Sequence, residues 1–316
     1  MTLLICWVLH KLKQMNNKNC LVIAGPTAVG KTPLAIRLAK HFNTQIISAD
    51  SRQCYKELNI GVAKPSSTGL GKVKHYFIDS HSIREDVNAK IFESYALKAI
   101  DTIFLKYDIA IMVGGTGLYI KAFCEGIDEI PVVDGDIKKN IISNFQTSGI
   151  KWLQSEIEKN DPLYFRKGEL QNPQRLMRAL EVKLFTGKSI IEFQTQQKKK
   201  RYFNIIKIGL ELPKEQLHQN INNRVDDMMR NGLLEEVKSL YSYKHLSALQ
   251  TVGYKELFEH LELKISLDEA IEKIKTNTRQ YAKRQMTWFK KDREVIWVNS
   301  TNSLSFLKKN LESFLK

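Results

Sequence analysis

The residues best suited to chemistry lie near the start of the chain, in a glycine-rich octapeptide. It reads Gly25, Pro26, Thr27, Ala28, Val29, Gly30, Lys31 and Thr32, and fits the pattern G-x-x-x-x-G-K-[ST] in full. In such a loop the glycines let backbone N–H groups turn towards an anion, the lysine adds positive charge and the threonine hydroxyl can hold Mg²⁺. The pattern predicts a polyphosphate site. It does not say whether the bond broken joins two phosphates or joins carbon to oxygen.

The elements that must position this loop follow from its flanks. Residues 20–24 form a short apolar, β-branched run and residues 34–39 have helical spacing, so the loop joins a buried strand to a helix. Further strands are predicted over residues 45–51, 75–79, 109–113, 204–210 and 294–298. Together these predict an α/β fold, with a P-loop NTPase-like parallel sheet as its core.

A carboxylate and a second glycine turn follow two of these strands. Asp50 ends the strand at 45–51, and in a parallel sheet the carboxyl ends of strands converge on one crevice, so Asp50 would face the phosphate loop. It could equally be a turn or helix cap. Thr116 lies in a G-G-T-G turn directly after residues 109–113. Such a turn would add backbone donors and a hydroxyl to the same crevice, although glycine turns alone are common.

The middle of the chain differs in character from its flanks. From 131 to 201 no strand pattern appears, while residues 137–145, 152–158 and 175–185 have helical periodicity. We therefore predict a helical insertion domain at 131–201, between a first core part at 19–130 and a completing part at 202–316 with basic C-terminal helices. Arg175 and Arg178 lie one turn apart, a spacing that suits successive phosphates or a solvated basic face.

Composition indicates a polyanionic partner. The 316 residues carry 49 Lys and Arg against 34 Asp and Glu, a formal net charge of +15 with a pI near 9.5. Nucleic acid is the first expectation, an acidic membrane the second, and a basic protein that is merely soluble the plain alternative. A helix predicted over residues 267–290 is basic enough to contact a phosphate backbone.

Cysteine usage and the N-terminus bear on location. Four scattered cysteines show no C-x-x-C pair and no nearby histidine in ligand spacing, which argues against zinc and disulfides and suits a reducing cytoplasm. The apolar residues 3–9 are too few to span a bilayer and lack the features of a secretory signal. Met15 is an alternative start. We expect a cytoplasmic, monomeric protein without membrane association.

Two functions fit the phosphate loop. A small-molecule kinase would bind ATP there and transfer a phosphoryl group, whereas a transferase could use the loop for a diphosphate leaving group. We find no arginine-rich lid pattern close to the loop, and positive charge extends through the later part of the chain. Such widespread charge favours a macromolecular substrate and the second function.

Seven motifs in order resemble those of the tRNA dimethylallyltransferases, the tRNA isopentenyltransferase family. They span about residues 21–297. Besides the phosphate loop they are S-A-D-S-R-Q at 48–53, N-I-G-V-A-K-P at 59–65, V-G-G-T-G-L-Y at 113–119, N-P-Q-R-L at 172–176, V-G-Y-K-E at 252–256 and T-R-Q-Y-A-K-R-Q at 278–285.

The resemblance implies transfer of a dimethylallyl group from dimethylallyl diphosphate to N6 of an adenosine on the 3′ side of the tRNA anticodon. The whole phosphate loop and Arg224 would bind the diphosphate with Mg²⁺ at Thr32. Lys31 would stabilise the leaving group, Asp50 would take the proton and Thr116 would position the adenine. Without the resemblance, Arg224 would be interpreted as part of a helix-surface ion pair.

The resemblance also implies a set of tRNA contacts. Gln53 would read the base beside the target. At the diphosphate site the chain departs from the family, because Asn220 stands where many members have a further arginine. The implied contacts are Asp50, Ser51, Arg52, Gln53, Thr116, Lys138, Gln174, Arg175, Leu176, Met177, Arg178, Gln250, Thr251, Val252, Gly253, Tyr254 and Lys255.

Overall fold

The computed structural model describes residues 18–65, 71, 73–133, 135–195 and 197–302. A start at Met15 therefore lies outside the described residues. The chain divides into two compact units: one is Ile127–Lys199, and the other contains the segments before and after it. The helical segment predicted at 131–201 corresponds to the first of these, which begins four residues earlier and ends two residues earlier.

A parallel sheet forms the centre of the two-segment unit. Its strands in the described residues are β1 (Asn19–Ala24), β2 (Ile46–Ala49), β3 (His75–Tyr76), β4 (Ile109–Gly114), β5 (Asn204–Glu211) and β6 (Ile296–Asn299). The spatial order is β3-β2-β4-β1-β5-β6, and every pair is parallel. All six residues of β1 are buried between β4 and β5, which accounts for the apolar run at 20–24. The predicted α/β class is confirmed.

Helices connect the parallel strands, except that none occurs among the described residues between β2 and β3. Asn88 caps one of them by accepting hydrogen bonds from the backbone N–H groups of Lys90 and Ile91. None of the helices in the described ranges is long and apolar enough to cross a membrane. In chain order they are α1 (Lys31–His41), α2 (Ala89–Phe104), α3 (Gly117–Glu125), α4 (Gly135–Asn160), α5 (Pro162–Lys167), α6 (Pro173–Thr186), α7 (Lys214–Arg230), α8 (Leu233–Ser239), α9 (Tyr254–Leu261) and α10 (Leu267–Phe289).

Strand β3 is shorter than predicted. The sequence pattern extends it to residue 79, but the structure ends it at Tyr76. Phe77 and Asp79 both adopt positive φ, at 62° and 51°, and the left-handed region does not continue a strand. Phe77 is nevertheless buried against Phe92, so its apolar character reflects the core and not the sheet.

The unit Ile127–Lys199 is helical, and no strand occurs among its described residues. Helix α4 is broken at Gly149, where φ is 71°, so the predicted helices at 137–145 and 152–158 fall on either side of the break. The side chain of Asn172 caps the start of α6, and Gly187 follows its end in the left-handed conformation. Leu153 and Leu180 belong to the core of this unit.

Candidate active site

The phosphate loop lies between the end of β1 and the start of α1, as predicted. Gly25 has φ of 142°, and a Cβ there would lie 2.7 Å from the carbonyl oxygen of Leu210. Gly30 has φ of 97° and precedes α1, which has no side-chain cap and no acidic residue in its first turn. The first backbone N–H groups of α1 are therefore free of a competing carboxylate, which suits a bound anion.

Lys31 is held inside the loop. Its Nζ donates to the carbonyl oxygen of Pro26 at 2.6 Å. Burial, and then nearby Arg224, lower the pKa of Lys31 to about 7, while the charge of Asp50 opposes the shift. Because the ammonium is poorly compensated by the protein, a polyanion would stabilise its charged form.

Two side chains of α7 reach the loop. Asn220 donates from Nδ2 to the carbonyl oxygen of Ala28 at 3.3 Å, and Arg224 donates from Nη1 to Thr27 Oγ1 at 3.5 Å. Burial lowers the pKa of Arg224, and the charge of Asp50 raises it. Arg224 therefore faces the loop, and the alternative of a helix-surface ion pair does not describe it.

Asp50 follows β2 directly. Its Oδ1 accepts hydrogen bonds from the backbone N–H groups of Arg52 at 2.9 Å and Gln53 at 3.3 Å. Among the described residues Oδ2 has no hydrogen-bond partner, and Asp50 lines the same cavity as Thr27 and Arg224. Asp50 therefore acts both as a turn cap and as a residue of the crevice, because one oxygen holds the turn and the other is left for a ligand.

Thr116 follows β4 and contacts the segment after β2. Its Oγ1 accepts from the backbone N–H of Ser51 at 3.0 Å, and its own N–H donates to the carbonyl oxygen of Ala49 at 3.2 Å. The ends of β4 and β2 can come this close only because residue 114 is glycine: a Cβ at Gly114 would lie 2.1 Å from the carbonyl oxygen of Ala49. The structure therefore brings Thr116 next to Asp50, as predicted for neighbouring strand ends.

Two adjoining cavities share Asp50, Thr27 and Arg224. The larger, of about 230 Å³, has an apolar wall, and the smaller, of about 70 Å³, is lined by Lys31 and Thr32. A polar end beside an apolar wall suits a ligand with an anionic head and a short hydrocarbon chain. The apolar wall consists of Val62, Ile221, Val225, Met228, Leu233, Val252 and Ile274.

The donor set around Thr32 is compatible with Mg²⁺. In the described part of the chain no group of three or more His, Cys, Asp or Glu could hold a metal ion. Mg²⁺ needs few protein ligands, however, because it takes the remainder from phosphate and water. The Thr32 hydroxyl lines the small cavity and can supply that share. A magnesium site at Thr32 stays a prediction.

Gln53 is buried, and both ends of its side-chain amide make hydrogen bonds. Its Nε2 donates to the carbonyl oxygens of Val62 at 3.2 Å and Ala63 at 3.1 Å, and its Oε1 accepts from Ser48 Oγ at 3.3 Å. The amide thereby fixes the loop after residue 61. Its predicted reading of a base stays a prediction, and it requires these bonds to open.

The residues of the predicted RNA-contacting stretch 250–255 differ in their exposure to solvent. Gln250 and Lys255 are exposed, whereas residues 251–253 line the larger cavity. Tyr254 is fully buried, and its hydroxyl donates to Glu236 Oε1 at 2.6 Å. Tyr254 therefore supports this segment from behind.

In the helical unit, the stretch 174–178 follows the faces of α6. Gln174 and Arg175 are exposed, as is Lys138 on α4. Leu176 and Met177 are buried in the core of the unit, so their side chains are not at its surface. Contact with RNA through this stretch therefore remains a prediction for the exposed side chains.

Arg178 is engaged within the same unit. Its Nη1 lies 3.2 Å from Glu181 Oε2 and its Nη2 donates to the carbonyl oxygen of Pro131 at 3.1 Å. A phosphate would have to share this guanidinium with Glu181.

Three residues of the site were not assigned roles from sequence. Gln285 of α10 bonds to both glycine-rich turns, Glu236 of α8 binds the loop that begins at residue 59, and Ser300 donates to the carbonyl oxygen of Val29. A signal existed for Gln285, which lies on the buried face of α10 with Ile274 and Phe289. No local pattern indicates the other two.

Fold and site together define an α/β enzyme with a phosphate loop, in which a strand-end carboxylate faces an anion site beside an apolar cavity. A sequence model described as IPP transferase matches residues 53–292. The curated protein named tRNA dimethylallyltransferase from Christiangramia forsetii is 46% identical over 295 residues, covering 92% of this chain and 98% of the relative. The chain therefore belongs to the IPP transferase family, as its motifs predicted.

Other relatives and solved structures agree. A tRNA dimethylallyltransferase 1 from Bacteroides thetaiotaomicron is 44% identical over 287 residues, covering 91% of this chain and 93% of its own. The crystal structure of the tRNA isopentenylpyrophosphate transferase from Bacillus halodurans is 32% identical, with a TM-score of 0.69 and coverage of 95% and 97%. A eukaryotic dimethylallyltransferase acting on tRNA is 30% identical, with a TM-score of 0.74 and coverage of 94% and 77%.

Proposed function

We propose that this chain transfers a dimethylallyl group from dimethylallyl diphosphate to N6 of the adenosine on the 3′ side of the anticodon in tRNA, releasing diphosphate. The observation that carries the proposal is the position of Asp50, which has a free carboxylate oxygen, lines the same small cavity as Lys31 and Thr32, and precedes Ser51, whose N–H donates to Thr116. A base and an anion site side by side are what an alkylation with a diphosphate leaving group requires.

The proton moves to Asp50. The exocyclic amine of adenine is a poor nucleophile, and removal of a proton as its bond to carbon forms keeps positive charge off N6. Oδ2 of Asp50 accepts this proton while Oδ1 keeps its bonds to the backbone of Arg52 and Gln53. Thr116 holds the adjacent turn and positions the adenine edge.

The phosphate loop stabilises the leaving group. As the carbon–oxygen bond breaks, negative charge grows on the diphosphate, and the N–H groups at the start of α1, Lys31 and Arg224 face it. Mg²⁺ held at Thr32 would supply further charge neutralisation when bound. The five-carbon chain lies against the apolar wall of the larger cavity.

The acceptor is an RNA base taken out of its stack. N6 cannot meet a carbon atom inside the site while the adenine remains stacked on its neighbours, so the nucleotide must be flipped into the cavity. The net charge of +15 supports a polyanionic partner, and Gln174 and Arg175 are exposed to contact it.

We further propose that the enzyme acts in the cytoplasm as a monomer. Cys20, Cys54 and Cys124 are free and buried, which fits a reducing compartment. Light scattering during size-exclusion chromatography tests the monomer, which a dimer mass would contradict.

The function is tested by product analysis. Protein and Mg²⁺ are incubated with unmodified tRNA and dimethylallyl diphosphate, the RNA is digested, and its nucleosides are weighed. An adenosine carrying the five-carbon group supports the proposal. ATP turnover with a small acceptor, and no modified nucleoside, would support a kinase; tRNA retention without product would indicate a binding protein.

A further inference from the structure

One buried amide joins the two glycine-rich turns of the site. Gln285 on α10 is 6% exposed. Its Oε1 accepts from the backbone N–H of Thr27 at 2.8 Å, and its Nε2 donates to the carbonyl oxygen of Gly115 at 2.8 Å. Both ends of the amide are used, and the two bonds fix its orientation.

The backbone of the second turn is shaped to receive this amide. A Cβ at Gly115 would lie 2.2 Å from Gln285 Nε2, so any other residue would displace the side chain. Thr27 uses its N–H for Gln285, which leaves the N–H groups at the start of α1 for an anion. The turn at residue 115 therefore requires glycine. The bond to Thr27 does not use the N–H groups at the start of α1, so these can still bind an anion.

The two turns have different tasks in the proposed reaction. Thr27 belongs to the loop that holds the diphosphate, while Gly115 precedes Thr116, which bonds to the segment carrying Asp50. Gln285 consequently connects the side of the site that binds the leaving group to the side that activates N6. Both turns are far from α10 in sequence, so only the folded chain sets this spacing.

We propose that Gln285 is a positioning residue that fixes the spacing between the leaving diphosphate and the attacking N6. The inference rests on the proposed function. Reaction rates depend steeply on such spacing, because a displacement of about 1 Å between reacting groups can cost about 100-fold in rate. Gln285 also lines the smaller cavity, but both ends of its amide are bonded to the two turns, and it acts through them.

A purely structural role is the competing explanation. Helix α10 is already anchored by apolar side chains, since Ile274, Ala282 and Phe289 are buried. Loss of the amide should therefore leave the helix packed while freeing the two turns to shift. Misplacement of the turns lowers the rate of the chemical step alone. Unfolding lowers that rate, substrate binding and thermal stability together.

The test uses the full chain and Gln285→Met, which keeps the length and most of the volume but removes both hydrogen bonds. The matched control is Gln216→Met, an exposed glutamine on α7. We expect the single-turnover rate, with both substrates saturating, to fall about 10- to 100-fold in Gln285→Met. KM for RNA and for dimethylallyl diphosphate should stay within about twofold, and Gln216→Met should match wild type.

A second variant separates the two bonds. Gln285→Glu can still accept from Thr27 but cannot donate to Gly115, and its charge lies beside the anion site. It should lose rate as Gln285→Met does and also show a raised KM for dimethylallyl diphosphate.

Two results would overturn the inference. One is a wild-type rate in Gln285→Met; the other is a loss of thermal stability together with weakened binding of both substrates, which would mean a structural role. Absence of product with the wild-type protein would instead contradict the proposed function itself, so the two failures are distinguishable.

Discussion

At the scale of the residue, the chemistry depends on one carboxylate whose two oxygens have different roles. Oδ1 of Asp50 is committed to the backbone N–H groups of Arg52 and Gln53, and Oδ2 is left for the substrate. A catalytic base that also caps its own turn is held in one orientation without a second side chain. This accounts for the position of Asp50 directly at the end of β2, where the turn begins.

Asp50→Asn tests this role. The amide oxygen can keep the two backbone bonds, while the amide nitrogen cannot accept a proton. We expect the single-turnover rate to fall about 100- to 10,000-fold with RNA affinity retained. Asp86→Asn, at an exposed carboxylate, is the control. An Asp50→Asn enzyme with wild-type rate would remove Asp50 from the mechanism.

Lys31 makes diphosphate binding depend on proton uptake. Burial and nearby Arg224 lower its pKa to about 7, so above that pH the Lys31 side chain is mainly neutral before diphosphate binds. A bound diphosphate favours the ammonium, and binding between about pH 7 and 9 should therefore take up a proton at Lys31 and lose affinity as pH rises.

Calorimetry in buffers of different ionisation enthalpy measures this uptake. The ligand's own ionisation adds a contribution, so the comparison is with Lys31→Arg, whose guanidinium stays charged throughout this range. Equal proton uptake by wild type and Lys31→Arg would show that Lys31 does not titrate on binding.

At the scale of the element, the first three residues of the loop after residue 58 are held by one carboxylate. Glu236 Oε2 accepts from the N–H groups of Asn59 at 3.1 Å and Ile60 at 2.8 Å, and Oε1 accepts from Gly61 at 3.0 Å and the Tyr254 hydroxyl at 2.6 Å. These four bonds connect two walls of the larger cavity. Gly61 is required because a Cβ would lie 2.6 Å from the Tyr254 ring.

Glu236→Gln should loosen this loop. An amide supplies one acceptor oxygen and turns its NH₂ group against backbone donors, so we expect a loss of about 1–3 kcal/mol in the free energy of unfolding. Hydrogen exchange in peptides covering residues 57–64 should accelerate. Glu235→Gln, at the exposed neighbouring position, should change neither quantity. Unchanged exchange in Glu236→Gln would show that the carboxylate does not hold the loop.

The sequence predicted the elements well where the signal is local. Apolar runs located β1 and β4, and helical periodicity separated the two halves of α4 at Gly149. The end of β3 was missed because positive φ at Phe77 and Asp79 depends on tertiary packing. The roles of Gln285 and Glu236 were missed because their partners are distant in sequence, and no local pattern specifies such pairs.

At the scale of the whole molecule, the net charge of +15 implies binding that is sensitive to salt. Each phosphate of a single strand that the protein neutralises contributes about −0.7 to the slope of log K against log salt. We expect affinity for an anticodon stem-loop to fall more than about tenfold between about 50 and 200 mM salt. Fluorescence anisotropy measures it, and a flat profile would contradict a phosphate-backbone contact.

Individual basic residues contribute to that slope. Arg175→Gln should reduce its magnitude by about 0.7 to 0.9, because Arg175 is exposed in the predicted RNA-contacting stretch. Lys106→Gln, at an exposed lysine outside the predicted contacts, should leave the slope unchanged. Equal slopes for all three proteins would place Arg175 outside the RNA interface.

The central claim is that the phosphate loop holds a leaving diphosphate while Asp50 activates an RNA base. It is tested most directly by measuring modified adenosine and released diphosphate together, with a synthetic anticodon stem-loop carrying adenosine or guanosine on the 3′ side of the anticodon. We expect equal amounts of both products with adenosine and neither with guanosine. Diphosphate released without modified adenosine, or modified adenosine formed without diphosphate, would contradict it.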